Sequence, residues 1–200
     1  MSKDLFEHKA GIYDKDDNRV SNVANIANAV VENLSLDRAM HLMDFGAGTG
    51  LLLERIAPFV RKITAIDISK AMTAQLENKR GSIDCELDIR EIDLVSADIT
   101  DKFDGIISSM TMHHVKDIEA MFVKFYSLLD RGGVIAISDL DKEDGSFHTE
   151  DTGVYHFGFD RDAIAAAAKQ SGFKEVKVVD ASVVKKPHGE FPVFLLTAKK

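Results

Sequence analysis

The stretch Asp44-Phe45-Gly46-Ala47-Gly48-Thr49-Gly50 decides the fold of this 200-residue chain. It follows the short apolar run His41–Phe45, a predicted buried strand, and it precedes Leu51–Ala57, a predicted helix. Glycine is needed where the backbone turns sharply or where a ligand approaches it closely. The free N–H groups at the start of the following helix attract a negative group. The stretch therefore predicts a ligand-binding turn between a strand and a helix.

Strand and helix patterns alternate along most of the chain on both sides of this turn. Helices are predicted over Asn22–Leu34, from a Ser69 cap to about Asn78, over Lys116–Leu129, and over Ala163–Gln170 after an Asp160 cap. Further strands are predicted at Ile63–Ile66, Ile83–Ile89, Phe103–Ser109, Val134–Ser138, Val176–Val179 and Phe191–Ala198. The alternation indicates an α/β fold with a mostly parallel sheet and helices on both faces. A turn at Lys185–Gly189 joins the last two strands, which predicts an antiparallel hairpin at the sheet edge.

Composition is typical of a globular protein and limits the classes of partner. Hydrophobic residues make up 45% of the chain and the net charge is −8, so a phosphate backbone is a poor match and nucleic-acid partners are disfavoured. The single cysteine, Cys85, leaves no internal disulfide. No apolar run reaches the roughly 18 residues of a membrane span, and the first residues lack the apolar core of a secretory signal. We expect one cytoplasmic domain over residues 1–200, monomeric or homodimeric, without a membrane partner.

Two familiar phosphate-binding loops fit the glycine stretch poorly. A dinucleotide site requires G-x-G-x-x-G, whereas the spacing here is G-x-G-x-G and Leu51 stands where the third glycine belongs. A P-loop requires Gly-Lys-Ser/Thr, whereas Leu51 and Leu52 follow Gly50. Both departures count against a phosphate ligand. A nicotinamide-dependent oxidoreductase on a similar sheet is the less favoured alternative.

The glycine stretch instead resembles the first motif of the class I methyltransferases that use S-adenosylmethionine. That motif is an acidic residue, one spacer and then G-x-G-x-G, and the segment from Asp44 to Gly50 matches it without a departure. Phe103–Ser109 resembles the family's fourth-strand motif, and Arg131-Gly132-Gly133 resembles the turn before its fifth strand. The resemblance implies a Rossmann-like fold with a seven-stranded sheet of order 3-2-1-4-5-7-6. Strand seven is expected to be antiparallel, in keeping with the C-terminal hairpin.

The resemblance also assigns cofactor contacts residue by residue. At the methionine end of the cofactor, the backbone of Gly46, Ala47, Gly48, Thr49 and Gly50 is expected to hold the carboxylate. The ammonium is expected to be drawn to Asp44 or to nearby carbonyls. Ser108, in the fourth-strand motif, is also expected to contact the cofactor.

At the nucleoside end, the expected contacts come from the second and third strands. Asp67 is expected to accept hydrogen bonds from both ribose hydroxyls, with a helix cap before Ser69 as the alternative role. Asp88, taken as the end of the third strand, is expected to bind the adenine amino group, and Asp93 or Asp98 is the alternative. The side chains expected to pack on the adenine ring are Ile68 and Ile89.

The acceptor side is predicted from the residues that follow the fourth strand. His113 and His114 lie there, and small-molecule methyltransferases that act on quinone precursors carry a similar histidine pair. Methyl transfer is a direct displacement, so the enzyme mainly aligns nucleophile and methyl group and excludes water. A phenol or carbon acid also needs a base, and a pKa of about 6.5 suits histidine to that role. Each histidine is a candidate base, with core packing or helix capping as the alternative.

The segment Asp139–Phe159 lies where the family builds part of its acceptor pocket. Candidate pocket residues are Met110, His148, Tyr155 and His156, although the aromatic residues here also suit a sealed core. The spacing of the acidic and histidine residues matches no metal motif, so no metal is expected. Residues 1–35 are predicted to form an N-terminal lid and helical lead-in, in which Tyr13 contacts the cofactor. Disorder of this polar segment is the alternative.

These features together predict a methyltransferase that moves a methyl group from S-adenosylmethionine to an oxygen, nitrogen or carbon atom of a small molecule. The product would be S-adenosylhomocysteine. A protein that binds either compound without catalysis is the alternative from another functional class.

Overall fold

The computed structural model describes residue 4, residues 6–148, residue 150 and residues 152–200. Its helices are α1 (Glu7–Ala10), α2 (Asp17–Asn33), α3 (Leu51–Ile56), α4 (Lys70–Lys79), α5 (Ile118–Leu128) and α6 (Arg161–Gln170). Its strands are β1 (His41–Phe45), β2 (Lys62–Asp67), β3 (Glu86–Glu91), β4 (Phe103–Ser109), β5 (Leu129–Leu140), β6 (Lys174–Lys186) and β7 (Gly189–Lys199). Within these ranges, no helix is long and apolar enough to cross a bilayer. Residues 1–3 and 5 of the predicted lid lie outside the described residues.

The strands form a seven-stranded sheet of order β3-β2-β1-β4-β5-β7-β6, which confirms the predicted order. Strands β1 to β5 are parallel, whereas β7 is antiparallel to both β5 and β6. Parallel strands present their carboxyl ends at one edge, so the ends of β1, β2, β3, β4 and β5 line a common rim. The chain order reverses between β1 and β4, and such a switch point opens a crevice for a ligand.

Hydrophobic clusters cover both faces of the sheet, as predicted. One cluster packs α2 and α3 against the sheet through side chains such as Ile26, Leu53 and Ile63. The other packs α5 and α6 through side chains such as Phe122, Phe125 and Phe194. Burial on both faces explains why the central strands read as continuous apolar runs rather than as alternating patterns.

Helix starts follow the capping residues. The Ser69 side chain accepts a hydrogen bond from the Met72 N–H, and Asp160 caps α6, both as predicted. Helix α2 begins at Asp17, earlier than the predicted Asn22, because Asp16 caps it by accepting from the Arg19 N–H. The prediction followed apolar periodicity, which the polar first turn of α2 lacks.

The bounds of β3, the start of β5 and the length of the β6–β7 turn differ from the prediction. Strand β3 begins at Glu86 and continues to Glu91, because β2 extends to Asp67 and pairs with it along its whole length. Gly132 and Gly133 were expected to lie before a short fifth strand, but β5 begins at Leu129 and includes them. The turn between β6 and β7 is only Pro187-His188, since Lys186 still pairs with Gly189.

Candidate functional site

The glycine turn lies at the carboxyl end of β1, beside the switch point. The N–H groups of Gly46 and Ala47 both donate to the Ile66 carbonyl of β2, at 2.8 and 3.1 Å. Gly46, Gly48 and Gly50 have φ values of 71°, 56° and 84°, a region that favours glycine. The turn is therefore fixed to the second strand and depends on glycine for its path.

The space around the three glycines differs in a way that locates the open side of the turn. A side-chain carbon at Gly46 would collide with Thr111, and one at Gly50 would collide with Leu76. A carbon at Gly48 would meet nothing within 4 Å. Gly48 therefore faces free space, where a ligand can approach the backbone closely.

Asp44 is a buried carboxylate beneath this turn. Its side chain is 1% exposed, and its Oδ2 atom has no hydrogen-bond partner among the described residues. Burial, with a smaller contribution from the charge of Asp67, raises the pKa of Asp44 to about 8. A buried acceptor without a donor is costly, so this atom is suited to a cationic or N–H-bearing ligand.

Asp67, at the end of β2, is held by backbone donors. Its Oδ2 accepts from the Gly48 N–H and its Oδ1 accepts from the Ser69 N–H, both at 2.8 Å. Burial raises the pKa of Asp67 despite these bonds. Both bonds hold the carboxylate on the backbone next to the Ser69 cap, and each carboxylate oxygen keeps a second lone pair. The neighbouring Ile68 is 66% exposed, so its side chain is available to cover part of a ligand that binds at Asp67.

Asp88 does not end the third strand, contrary to the prediction. It lies within β3, where it pairs with Thr64 of β2, and its carboxylate binds Arg90 at 2.8 Å. Ile89 is also within the strand and packs against the core. The strand ends at Glu91, so Asp93 is the aspartate just beyond the carboxyl edge. The side chain of Asp93 accepts from the Val95 N–H and the Ser96 hydroxyl.

The described part of the N-terminal segment packs over the glycine turn. The Thr49 hydroxyl donates to Asp14 at 2.6 Å, and Asp14 also forms an ion pair with Lys79 of α4. The Tyr13 ring lies under the guanidinium of Arg19, with 3.9 Å between Cζ and the ring centroid. Burial raises the pKa of Tyr13, and Asp67 lies close enough to contribute to that shift. The segment therefore reaches the same crevice as Asp67.

His113 is a buried structural residue at the end of the turn that follows β4. It is 2% exposed, and its Nδ1 lies 2.7 Å from Asp139 Oδ1 at the end of β5. Its backbone N–H donates to the other oxygen of Asp139 at 3.1 Å, and its carbonyl accepts from the Tyr155 N–H. His113 thus joins β5 to the segment 139–159. Asp139 was missed in the sequence, although its place after an apolar strand is the signal that points to it.

His114 and His148 lie beside this pair with less burial. Ring centroids are 4.2 Å apart for His113–His114 and 5.0 Å apart for His113–His148. Burial first, and then the charge of His113, lower the pKa of both His114 and His148 to about 4. His114 Nδ1 lies 3.3 Å from the Gly153 carbonyl, so it carries the proton and Nε2 keeps the free lone pair. Phe6 packs edge-on against the His114 ring at 5.6 Å.

The remaining predicted pocket residues occupy different environments. Tyr155 is 60% exposed, whereas His156 Nε2 lies 2.9 Å from the Val115 carbonyl and its ring packs beside Phe159. Met110 has a φ of 55° and packs partly against the core. The packing of His156 fits the sealed-core alternative, whereas the acceptor pocket stays a prediction. No group of three or more acidic, histidine or cysteine residues is arranged for a metal in the described ranges.

Ser108 lies at the end of β4 but its hydroxyl donates to the Phe45 carbonyl of β1 at 2.7 Å. This bond connects the carboxyl ends of β1 and β4 at the switch point. Ser108 therefore offers a ligand only an acceptor oxygen.

Comparisons with known proteins point to one family. The family described as "Methyltransferase domain" matches residues 20–178. An uncharacterized methyltransferase of Schizosaccharomyces pombe is 26% identical over 195 residues, covering 89% of this chain and 68% of that protein. A ubiquinone biosynthesis O-methyltransferase of Xanthomonas campestris is 28% identical over 108 residues, covering 53% of this chain and 45% of that protein.

A solved structure shares the fold at lower identity. The phosphoethanolamine N-methyltransferase 2 of Haemonchus contortus, in complex with phosphomonomethylethanolamine and S-adenosylhomocysteine, superposes with a TM-score of 0.75. The two sequences are 16% identical, and the match covers all of this chain and 60% of that protein. This chain thus spans from less than half to about two thirds of the length of these relatives.

Proposed function

Because this chain belongs to the methyltransferase domain family and has the class I fold, it is an S-adenosylmethionine-dependent methyltransferase, and we propose that its acceptor is a small molecule. The names of the similar proteins support the proposal, since they include a ubiquinone biosynthesis O-methyltransferase and a phosphoethanolamine N-methyltransferase. The net charge of −8 supports it further by disfavouring nucleic acid. The cytoplasmic location and the monomeric or homodimeric state stay predictions.

The observation that carries the assignment of the cofactor site is the buried Asp44 and the half-buried Asp67 beside an open glycine turn. Asp44 Oδ2 is a buried acceptor in need of a donor, which an ammonium group supplies. Gly48 leaves the free space for close approach, and Asp67 keeps acceptor lone pairs for vicinal hydroxyls. The described residues therefore fit the cofactor. When bound, S-adenosylmethionine supplies an electrophilic methyl group on a sulfonium.

At the adenine end, we replace Asp88 with Asp93 as the proposed partner of the amino group. Asp88 is engaged by Arg90 inside the strand, whereas Asp93 follows the carboxyl end of β3. The Asp98 side chain is 99% exposed and pairs with Lys124. Substitution of Asp98 therefore serves as the control for substitution of Asp93. Ile68 is the apolar side chain left to cover the ring.

Residues 1–35 are proposed as the lid. The contacts that support it are the Thr49–Asp14 hydrogen bond and the Ser69–Asp4 hydrogen bond of 2.8 Å, which tie the segment to the glycine turn and to α4. A closed lid excludes water from a reactive sulfonium.

The acceptor's proton is proposed to pass to Nε2 of His114. That nitrogen is unprotonated because Nδ1 faces a carbonyl, and the low pKa keeps the ring neutral at physiological pH. The same low pKa makes His114 a weaker base than a histidine with the ordinary pKa of about 6.5. His113 is proposed as a positioning residue, since it is buried and bound to Asp139. Its ring packs on the His114 ring and fixes its orientation.

Substitutions of the two histidines are expected to affect different properties, turnover for His114 and stability for His113. His114→Gln should lower kcat by about a hundredfold for an acceptor that needs a base, with Tm little changed. His113→Gln should lower stability by about 3 kcal/mol, because it removes the imidazole partner of the buried Asp139. Urea unfolding and turnover with radiolabelled S-adenosylmethionine measure the two effects. Equal loss of stability in both variants would contradict these roles.

Calorimetric titration with S-adenosylmethionine tests the proposed site directly. Wild-type protein should bind saturably, and Asp67→Asn should weaken binding at least tenfold, or about 1.4 kcal/mol. Asp93→Asn should also weaken binding, whereas Asp98→Asn should leave the Kd unchanged. Absence of binding by folded wild-type protein, or equal binding by Asp67→Asn, would overturn the assignment of the site.

A further inference from the structure

Lys186, at the end of β6, has a partly buried ammonium group. It lies near the histidine cluster formed by His113, His114 and His148. Its Nζ donates to the Phe147 carbonyl and lies 3.7 Å from the centroid of the Phe147 ring. No carboxylate lies within ion-pair distance of it among the residues that the structure describes. By contrast, the neighbouring Lys185 forms an exposed ion pair with Glu190 at 3.3 Å. Within the described ranges, the charge of Lys186 is thus left without a close counter-ion.

The surroundings of Lys186 raise the free energy of its charged form. Burial lowers the pKa of Lys186, and the charges of Arg19 and Lys9 contribute in the same direction. Glu143 and Asp16 act in the opposite direction without forming an ion pair with it. A partly desolvated ammonium gains most from an anion that replaces its lost hydration.

A chain of ring contacts connects Lys186 to the proposed base. The Phe147 ring lies 4.8 Å from the His148 ring, and the His148 ring lies 6.2 Å from the His114 ring. His148 Nδ1 lies 3.4 Å from the Thr152 hydroxyl, while its Nε2 is buried and lacks a partner among the described residues. The His148 ring therefore has a buried nitrogen without a partner among the described residues, and the charge of Lys186 lies close enough to lower the pKa of His148.

We propose that Lys186 and His148 form an anion subsite and that the methyl acceptor carries an acid group, a carboxylate or a phosphate. The acid group accepts hydrogen bonds from the ammonium and from the Nε2–H tautomer of His148. The nucleophilic atom then lies at the other end of the same molecule, toward His114. This inference rests on the proposed function for the role of His114, but the anion subsite itself is tested without the cofactor.

The experiment uses inorganic phosphate and acetate as probes of the full-length protein. NMR spectra of histidine- and lysine-labelled protein follow the His148 ring and the Lys186 side chain during titration to about 50 mM of each anion. We expect saturable shifts of both groups for at least one anion. The better binder of the two identifies the acid group as phosphate or carboxylate.

Matched variants make the outcome decisive. Lys186→Met keeps the aliphatic stem and should reduce anion affinity at least tenfold, whereas Lys185→Met should leave it unchanged. The Tm and the S-adenosylmethionine Kd of each variant report folding and the cofactor site separately. Absence of saturable shifts, or anion binding that survives in Lys186→Met, overturns the proposal even where cofactor binding is intact. Equal loss in the Lys185→Met control overturns it as well. If Lys186→Met lowers the Tm strongly, Lys186→Gln provides the second test.

Discussion

Asp44→Asn is expected to make the ligand-free protein more stable while abolishing tight cofactor binding. Asp44 is buried and its pKa is raised to about 8, so the carboxylate form is disfavoured in the folded state. The unfolded chain ionises this group near its ordinary value, whereas the folded chain retains the proton. Stability from this group is therefore fully present below about pH 4 and is lost as the pH rises toward 8, by up to about 1.4 kcal/mol per pH unit.

Removing the ionisable group should remove this pH dependence. Near pH 8 the Asp44→Asn variant should unfold at higher temperature than wild type, by several degrees, and the two should converge at about pH 4. Thermal melts across this range, without ligand, measure the difference. A variant with a lower Tm than wild type at pH 8 would contradict the pKa shift of Asp44.

The same substitution should weaken S-adenosylmethionine binding by about a hundredfold or more, because a buried ammonium loses its charged partner. Wild-type affinity should also rise with pH toward 8, since Asp44 must lose its proton to pair with the cation. Asp98→Asn is the matched control, because Asp98 is exposed and its carboxylate pairs with Lys124. Unchanged affinity in Asp44→Asn would show that carbonyl groups hold the ammonium instead.

Gly48→Ala is expected mainly to weaken cofactor binding, whereas Gly46→Ala is expected mainly to destabilise the fold. Both glycines have positive φ, so each substitution carries a backbone cost of about 1 kcal/mol. At Gly48 the new methyl group meets nothing within 4 Å, so the protein should fold with only a small loss of Tm. The methyl group would project into the free space proposed for the cofactor, and we expect the Kd for S-adenosylmethionine to rise at least tenfold.

At Gly46 the methyl group would lie 2.7 Å from Thr111 Cβ, a distance at which something must shift. Gly46→Ala should therefore destabilise the fold by about 2–4 kcal/mol, well beyond the Gly48→Ala effect. Urea unfolding and calorimetry on both variants give the comparison. A Gly48→Ala variant that binds the cofactor normally would place the cofactor on another side of the turn.

Local chemistry accounts for the parts of the molecule that were predicted well. The glycine turn was found because glycine is strongly favoured where φ is positive. The caps Ser69 and Asp160 were found because their side chains satisfy helix N–H groups nearby in sequence. Strand β3 was placed too early because its bounds depend on its pairing with β2. The alternation of Ile83, Cys85 and Leu87 gives no information about that pairing. Asp88 was consequently mistaken for a strand end.

The acceptor side shows why some functional residues could not be assigned from the sequence. His113 and His114 are adjacent and chemically identical, so only burial and the Asp139 contact separate a positioning residue from a candidate base. Lys186 lies far from His148 in sequence, and packing between β6 and the segment after β5 brings its ammonium over Phe147. The sequence by itself determined the α/β alternation and the glycine turn, because these depend on periodicity and backbone conformation along the chain. The sheet order came from the resemblance of its motifs to those of the class I methyltransferases. Only the tertiary structure decided which histidine is buried, which aspartate follows β3 and that the Lys186 ammonium lies over Phe147, because desolvation and contact across the sheet arise when distant segments pack together.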